Sequence, residues 1–260
     1  MREQLLPVNR WSVFATQVAL TILLLMIWEA GGRQGWIDKL YFSKPSDIGA
    51  EIGQWLRHGY ILGDVTTTMS ETLIGLAIGA FAGIVLGILL ASNRFIGAVF
   101  EPLLVLLNSV PRITLVPLFI LWFGFKMEAK VASAIALVLF VVFFATYAGI
   151  KDVDPTLVAS ARVLGARRVD IVRHVLMPSA LTWIFSSLRS AVGFALIGAV
   201  VAEYFGAQAG VGYRIQYSEA QLNTSGVFGG LFILMVLVYL INLFFEWLQR
   251  RLLVWKPQDS

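Results

Sequence analysis

Long apolar runs without charge alternate along this chain with short charged stretches. The runs cover residues 13–28, 72–92, 131–150, 179–202 and 227–245, and only the fourth of these contains a charge, Arg189. A further apolar stretch, 100–123, is interrupted by Pro102, Pro111 and Pro117 and holds Arg112. A helix that crosses a bilayer needs about 20 mostly apolar residues. Six such segments predict an all-α, polytopic membrane protein, in which each helix satisfies its own backbone hydrogen bonds. No run alternates at the two-residue period of a transmembrane barrel. The first run follows Arg2 and Arg10, as a secretory leader would, but WEAGG is a poor cleavage site. It is expected to stay as a helix.

Composition strengthens this picture. The 260 residues are 58% hydrophobic and 14% charged, where a soluble domain carries about 25% charged residues. Cysteine is absent, which removes disulfides, thiolate metal sites and cysteine nucleophiles. The net charge of +4 fits loops facing the cytoplasm better than nucleic acid, which is not expected as a partner. With both termini inside, the inner pieces hold Arg2, Arg10, Arg94, Lys151, Arg162, Arg167, Arg168, Arg173, Arg250, Arg251 and Lys256. The outer pieces hold Arg33, Lys39, Lys44, Arg57, Lys126, Lys130 and Arg214. That excess predicts cytoplasmic N- and C-termini. Trp11, Trp28, Trp122, Trp247 and Trp255 fall near span ends. The outer segment 31–65 is expected to hold a short helix capped by Ser46 or Asp47.

Three spans carry polar or special positions. Gly75, Gly79, Gly83 and Gly87 recur every four residues in the second span. They form one helix face on which another backbone, of this chain or of a second copy, can approach closely. The broken span contains Asn108, Ser109 and Arg112. An arginine within a span is costly unless it faces protein or a polar path. Arg112 therefore either meets an anionic substrate or serves structure, paired with Glu101 or another internal acid, or snorkelling. Arg189, with Ser186 and Ser190, is a second candidate lining of a pathway. Glu203 is expected to sit exposed where the fifth span leaves the membrane.

The most distinctive stretch is VASARVLGARRVDIVRHVLMP, residues 158–178. Asp154-Pro155-Thr156 suits a helix start. Leu157, Val158, Ala161 and Leu164 recur at helical spacing, and Gly165 suits a left-handed stop. A second amphipathic piece is expected over 167–177, with Pro178 opening the next span. Such a pair of helices either lies on anionic lipid or presents an apolar knob with basic flanks to a cytosolic partner.

Ala159-Ser160-Ala161, Gly165 after three residues, and Val175-Leu176-Met177-Pro178 after nine resemble the signature loop of permease subunits of binding-protein-dependent ABC importers. That pattern reads E-A-A, three residues, G, nine residues, I-x-L-P; here Ala159 replaces the glutamate. Pro117-Leu118, Trp122-Phe123-Gly124, Leu188-Arg189, Ala202-Glu203 and Gly210-Val211-Gly212-Tyr213 resemble the nitrate/sulfonate/taurine branch, from about residue 66 onward.

The resemblance implies a type I importer permease fold and a homodimer forming the pathway. It implies two cytoplasmic ABC ATPases that bind ATP and magnesium, so that this chain holds no cofactor, metal or catalytic residue. It implies an external solute-binding protein that delivers a small solute, such as nitrate, a sulfonate or another organic acid. Leu157, Ala159, Ser160, Ala161, Arg162, Leu164, Gly165 and Arg168 would then form the docking surface for the ATPase. The bacterial inner membrane is the expected location. Residues 1–65 would form the N-terminal helix and external segment. The permease core would cover 66–250, with the coupling loop at 151–178 and a tail at 251–260. The chain lacks G-x-x-x-x-G-K-[ST], HExxH and GxSxG, so neither ATP hydrolysis by a P-loop nor a hydrolase is expected. The main alternative is an ion-coupled secondary transporter. It is disfavoured here because only Glu101 looks like a carboxylate in a span.

Overall fold

The computed structural model describes residues 10–252, so Arg2, Lys256 and most of the 251–260 tail lie outside the described residues. The helices are α1 (Arg10–Gln34), α2 (Lys39–Phe42), α3 (Pro45–Arg57), α4 (Tyr60–Ser92), α5 (Arg94–Asn108) and α6 (Val116–Phe123). They continue with α7 (Met127–Lys151), α8 (Pro155–Val163), α9 (Arg168–Ile171), α10 (Met177–Gly206), α11 (Val211–Ala220) and α12 (Thr224–Leu252). A 3-10 turn, Arg112–Leu115, precedes α6, and a π-turn, Val172–Leu176, joins α9 to α10. No strand occurs among the described residues.

Among the described residues, five helices are long and apolar enough to cross a membrane, and there are six spans if the bent pair 95–108 and 112–123 is one. The bend is 82°. Its causes are local: Pro111 cannot continue the helix, and Arg112–Leu115 tightens into a 3-10 turn.

The described residues form two compact units, 10–60 with 215–231, and 61–214 with 232–252. In the first, Trp28 meets Phe228 edge to face at 5.7 Å. Ser43 and Ser225 share a hydrogen bond of 2.7 Å. The expected cap of α3 is not supplied by Ser46 or Asp47. Lys44 is the N-cap residue and makes no side-chain cap. Instead Glu29, from α1, accepts the Ser46 N–H at 3.0 Å and the Ser46 hydroxyl at 2.8 Å. A carboxylate from another helix here fills the place of a local cap, with the sign the helix dipole favours.

The core of the second unit lies among α4, α7, α10 and α12. Leu76, Ala80, Ala134, Val138, Val142, Ala191, Val192, Ala195 and Ile241 form its main apolar cluster. The glycine face of α4 lies on α7. A Cβ at Gly75 would overlap Ala134, and at Gly79 it would stand 2.9 Å from Val138 Cβ. At Gly83 it would stand 2.7 Å from the Leu139 carbonyl oxygen, and at Gly87 2.7 Å from Thr146 Cβ. Close approach of two backbones is what small residues in a span allow.

Two elements depart from the sequence reading. First, α4 begins at Tyr60, well before residue 72, and so carries Asp64 and Glu71 within one continuous helix. Second, residues 168–206 run as one helical column, and Pro178 does not begin a separate one. The π-turn just before the proline shifts the hydrogen-bond ladder, and Ser179 donates its hydroxyl to the Val175 carbonyl at 2.8 Å. The column passes through the proline without a break.

Candidate functional site

The connection between α7 and α10 is built by local rules. Asp154 accepts the Thr156 N–H at 2.8 Å, and Pro155 occupies the first turn of α8. That bond holds the Asp154 carboxyl below the usual carboxylate range. Gly165 closes the helix with φ +85°, a conformation glycine adopts freely. Asp170 then accepts the Arg167 N–H at 3.0 Å, completing the start of α9. The surface so presented is apolar. Val163 and Leu164 are each 87% exposed, and Leu157 and Val169 are also exposed. Ala159, Ser160, Arg162 and Gly165 are exposed around them, while Ala161 is half-buried. Arg168 opens α9.

The bent span sets Arg112 at the turn. Its Nη2 donates to Asn108, to the side-chain Oδ1 and to the carbonyl at 3.3 Å. Its guanidinium lies over the Phe140 ring at 4.8 Å. The Nε is buried and lacks a partner. Pairing with Glu101 does not occur, because Glu101 accepts from the Tyr147 hydroxyl and from Lys151 at 3.2 Å. Ser109 is exposed beside it. On α10, Ser186, Arg189 and Ser190 all lie on the exposed face, whereas Ser187 is buried and donates to the Ile184 carbonyl at 2.8 Å.

A third constellation was not foreseen. Glu203, expected to be exposed, is 0% exposed. Its Oε1 accepts the Thr68 hydroxyl and its Oε2 the Gly212 N–H, each at 2.7 Å. Thr68 Oγ1 in turn accepts the Val211 N–H at 2.9 Å. Asp64 accepts the Gly210 N–H at 3.0 Å and the Arg214 guanidinium at 2.7 and 2.8 Å. The N–H groups of Gly210, Val211 and Gly212, which no helical carbonyl can reach, are thus taken by α4 and α10. Gly210, at φ +111°, has the Glu203 carboxylate where a Cβ would stand, so only glycine fits.

Carboxylates are therefore not scarce in the spans: Asp64, Glu71 and Glu203 are all buried, in spans 60–92 and 169–206. A signal for α4 was present. Glu71, Thr68 and Asp64 lie four, seven and eleven residues before Gly75, which extends the helix face of Gly75, Gly79, Gly83 and Gly87 toward the N-terminus. A face that must be small to meet α7 is the same face that turns polar above it.

Comparison with known proteins decides the family. The family described as "Binding-protein-dependent transport system inner membrane component" matches residues 83–254. The chain belongs to that family. A Bacillus subtilis permease protein named for aliphatic sulfonates is 32% identical over 91% of this chain and 86% of its own length. A formylaminopyrimidine transport permease of Halalkalibacterium halodurans is 32% identical over 92% and 94%. The taurine transport system permease of Escherichia coli is 26% identical over 95% and 92%. Among solved structures, the inward-facing MetNI methionine ABC transporter aligns with a TM-score of 0.65 at 21% identity, over 74% of this chain and 94% of that one. An ABC transporter involved in alginate import aligns at 0.64 and 17% identity, over 94% and 96%. The protein is a multi-pass permease subunit of the inner membrane with the type I importer fold, and not an enzyme. Membership, rather than any count of carboxylates, sets aside the ion-coupled alternative.

Proposed function

We propose that this chain forms, as a homodimer, the pathway of an ATP-driven importer. Two separate ATPases holding ATP and magnesium would dock on the α8 loop, and an external binding protein would deliver the solute. The observation that carries the reading is the exposed apolar knob of Leu157, Val163 and Leu164. A surface of this kind outside the candidate spans is stabilised by a partner that covers it. The excess of Lys and Arg on one side supports cytoplasmic termini and a cytoplasmic loop. Replacing Ala161 with Asp, or deleting Gly165, is expected to abolish co-purification with the cognate ATPase and stimulated ATP turnover in vesicles. Unchanged binding and turnover would sink the docking assignment.

The solute we propose is a small anion, organic or inorganic. The names of the sulfonate and taurine relatives support this class, and so does the buried Arg112 Nε without a partner. Asn108, Ser109, Arg112, Ser186, Arg189 and Ser190 would line the path. Arg112→Gln is expected to impair uptake while assembly with the ATPase stays intact; normal uptake counts against the role.

A further inference from the structure

The first half of the bent span touches the rest of the chain along a narrow stripe. Among the described side chains of α5, those shielded from solvent are Ile96, Glu101, Leu104 and Asn108, with Gly97 buried beside them. Steps of three and four residues keep them on one side of the helix. The stripe runs along α7 in antiparallel order. Glu101 accepts from the Tyr147 hydroxyl and from Lys151 Nζ at 3.2 Å. Leu104 packs against the cluster of Phe143, Phe144 and Tyr147. Asn108 accepts from Arg112, whose guanidinium lies over Phe140. The α7 side is a ladder of rings. Phe140 and Phe144 stand 6.5 Å apart, Phe144 and Phe143 4.9 Å, and Phe143 and Tyr147 5.7 Å. A cation closes each end: Arg112 over Phe140, and Lys151 over Tyr147 at 4.4 Å. Lys151 ends α7, three residues before Asp154, the cap of α8.

Apolar packing is non-directional, so Ile96 and Leu104 hold α5 on α7 without fixing how far it slides. A hydrogen bond fixes both partners. Tyr147 is 6% exposed, and its hydroxyl would bear the cost of desolvation if α5 slipped and removed its acceptor. The Lys151 pair is open to solvent, with side chains 55% and 40% exposed, and such pairs add little. We infer that Glu101 is the positioning residue of the bent span: its bond from Tyr147 sets the register of α5 on α7 and thereby the place of the Arg112 turn. Because α7 is one continuous helix from Phe140 to Lys151, Glu101 makes a rigid strut between that turn and the loop that carries α8. What the strut transmits rests on the pathway and docking roles proposed above.

The chain has no cysteine, so spin labels on introduced cysteines report only the chosen sites. A label at Ala148 of α7 is paired with one at Leu106 of α5 and, separately, with one at Ile113 in the turn; all three positions are exposed. Pulsed electron paramagnetic resonance measures both distances in the full chain in nanodiscs, without the ATPase. Glu101→Leu and Tyr147→Phe are expected to shift or broaden both, since a slip by one turn moves α5 by about 5 Å. Glu101→Gln, which still accepts from Tyr147, and Lys151→Gln are expected to keep both. Unchanged distances in Glu101→Leu and Tyr147→Phe overturn the inference, and so does a shift at Leu106 that leaves Ile113 in place. A last arm needs no change at Glu101 or Tyr147. In the complex with the ATPase, the distance from Ala148 to Ile113 is expected to be the same with and without ATP and magnesium, as in a strut that moves as one piece, and a change on adding nucleotide overturns it. Co-purification with the ATPase judges the docking role separately, because the measurements on the permease alone decide the role of Glu101 whether or not the ATPase binds.

Discussion

Two regions of this permease invert the usual distribution of polarity. The clamp at the start of α11 buries Asp64, Thr68 and Glu203. The loop around α8 exposes Leu157, Val163, Leu164 and Val169. Each arrangement is costly on its own. They differ in where the compensation lies. For the clamp it lies within the chain: α4 and α10 supply acceptors for the Gly210, Val211 and Gly212 N–H groups. For the loop, none of the described residues covers the apolar tip. A buried polar group with its partners at hand reports on architecture, and an uncovered apolar knob reports on association. The contrast therefore predicts opposite mutational behaviour in the two places.

The largest effect on folding is expected at the clamp. Asp64→Ala removes the acceptor of Gly210 and Arg214, and breaking a buried pair on one side typically costs about 3–5 kcal/mol. Thermal unfolding of the purified chain measures it, and a wild-type transition would mean that the pair is not part of the fold's support. Next comes the seam. Gly83→Val would drive a side chain into the Leu139 carbonyl oxygen and the Phe143 N–H, 2.7 and 3.0 Å from the position of a Cβ. Overpacking of this kind costs on the order of 1–3 kcal/mol. If the α4 and α7 helices part easily, the same measurement will show little change.

The seam and the loop were legible in the sequence because each follows a local rule. Four glycines at one spacing define a face, and Asp154, Pro155 and Gly165 mark the ends of a helix through their own backbone chemistry. The clamp was not legible. Glu203 lies near the end of an apolar run, where a carboxylate ordinarily meets water, and its partner Thr68 is distant in sequence. Burial is set by what packs against a residue, and that depends on the return of the chain after α10. The cap of α3 failed for the same reason, since Glu29 arrives from α1 and displaces the local candidates. The column through Pro178 shows the opposite error. A strong local signal for a break was overridden by a π-turn, which the sequence does not announce.

At the loop the expected effect on folding is small and that on association is large. Leu164→Glu changes a residue that is 87% exposed, so stability should shift by no more than about 0.5 kcal/mol. Affinity for the ATPase is expected to fall at least tenfold, which corresponds to about 1.4 kcal/mol. A titration of the purified ATPase against the permease in nanodiscs, run beside thermal unfolding, separates the two quantities. Equal affinity would return the apolar tip to the lipid surface. Equal losses in both measurements would make the loop resemble the clamp and would erase the contrast.

The smallest expected effect sharpens the contrast within the loop itself, at the one charge that shapes it. The Asp154 carboxyl is held below its ordinary range by the Thr156 N–H. A group whose folded value is lowered stabilises the fold above its unfolded value, near pH 3.9, and loses that contribution as pH falls through the folded value. Protection of the Thr156 amide against hydrogen exchange should therefore be full at neutral pH and decline below about pH 4. Asparagine caps as well as aspartate but does not titrate. Asp154→Asn should keep the protection at neutral pH and show no decline tied to this group, whereas Asp154→Ala should lack it at both. A pH-independent wild type would mean that the helix start is held by the proline and the backbone alone. The docking knob would then need no charge to form, and the electrostatic part of the difference between loop and clamp would be complete: charge fixes one region and is dispensable in the other.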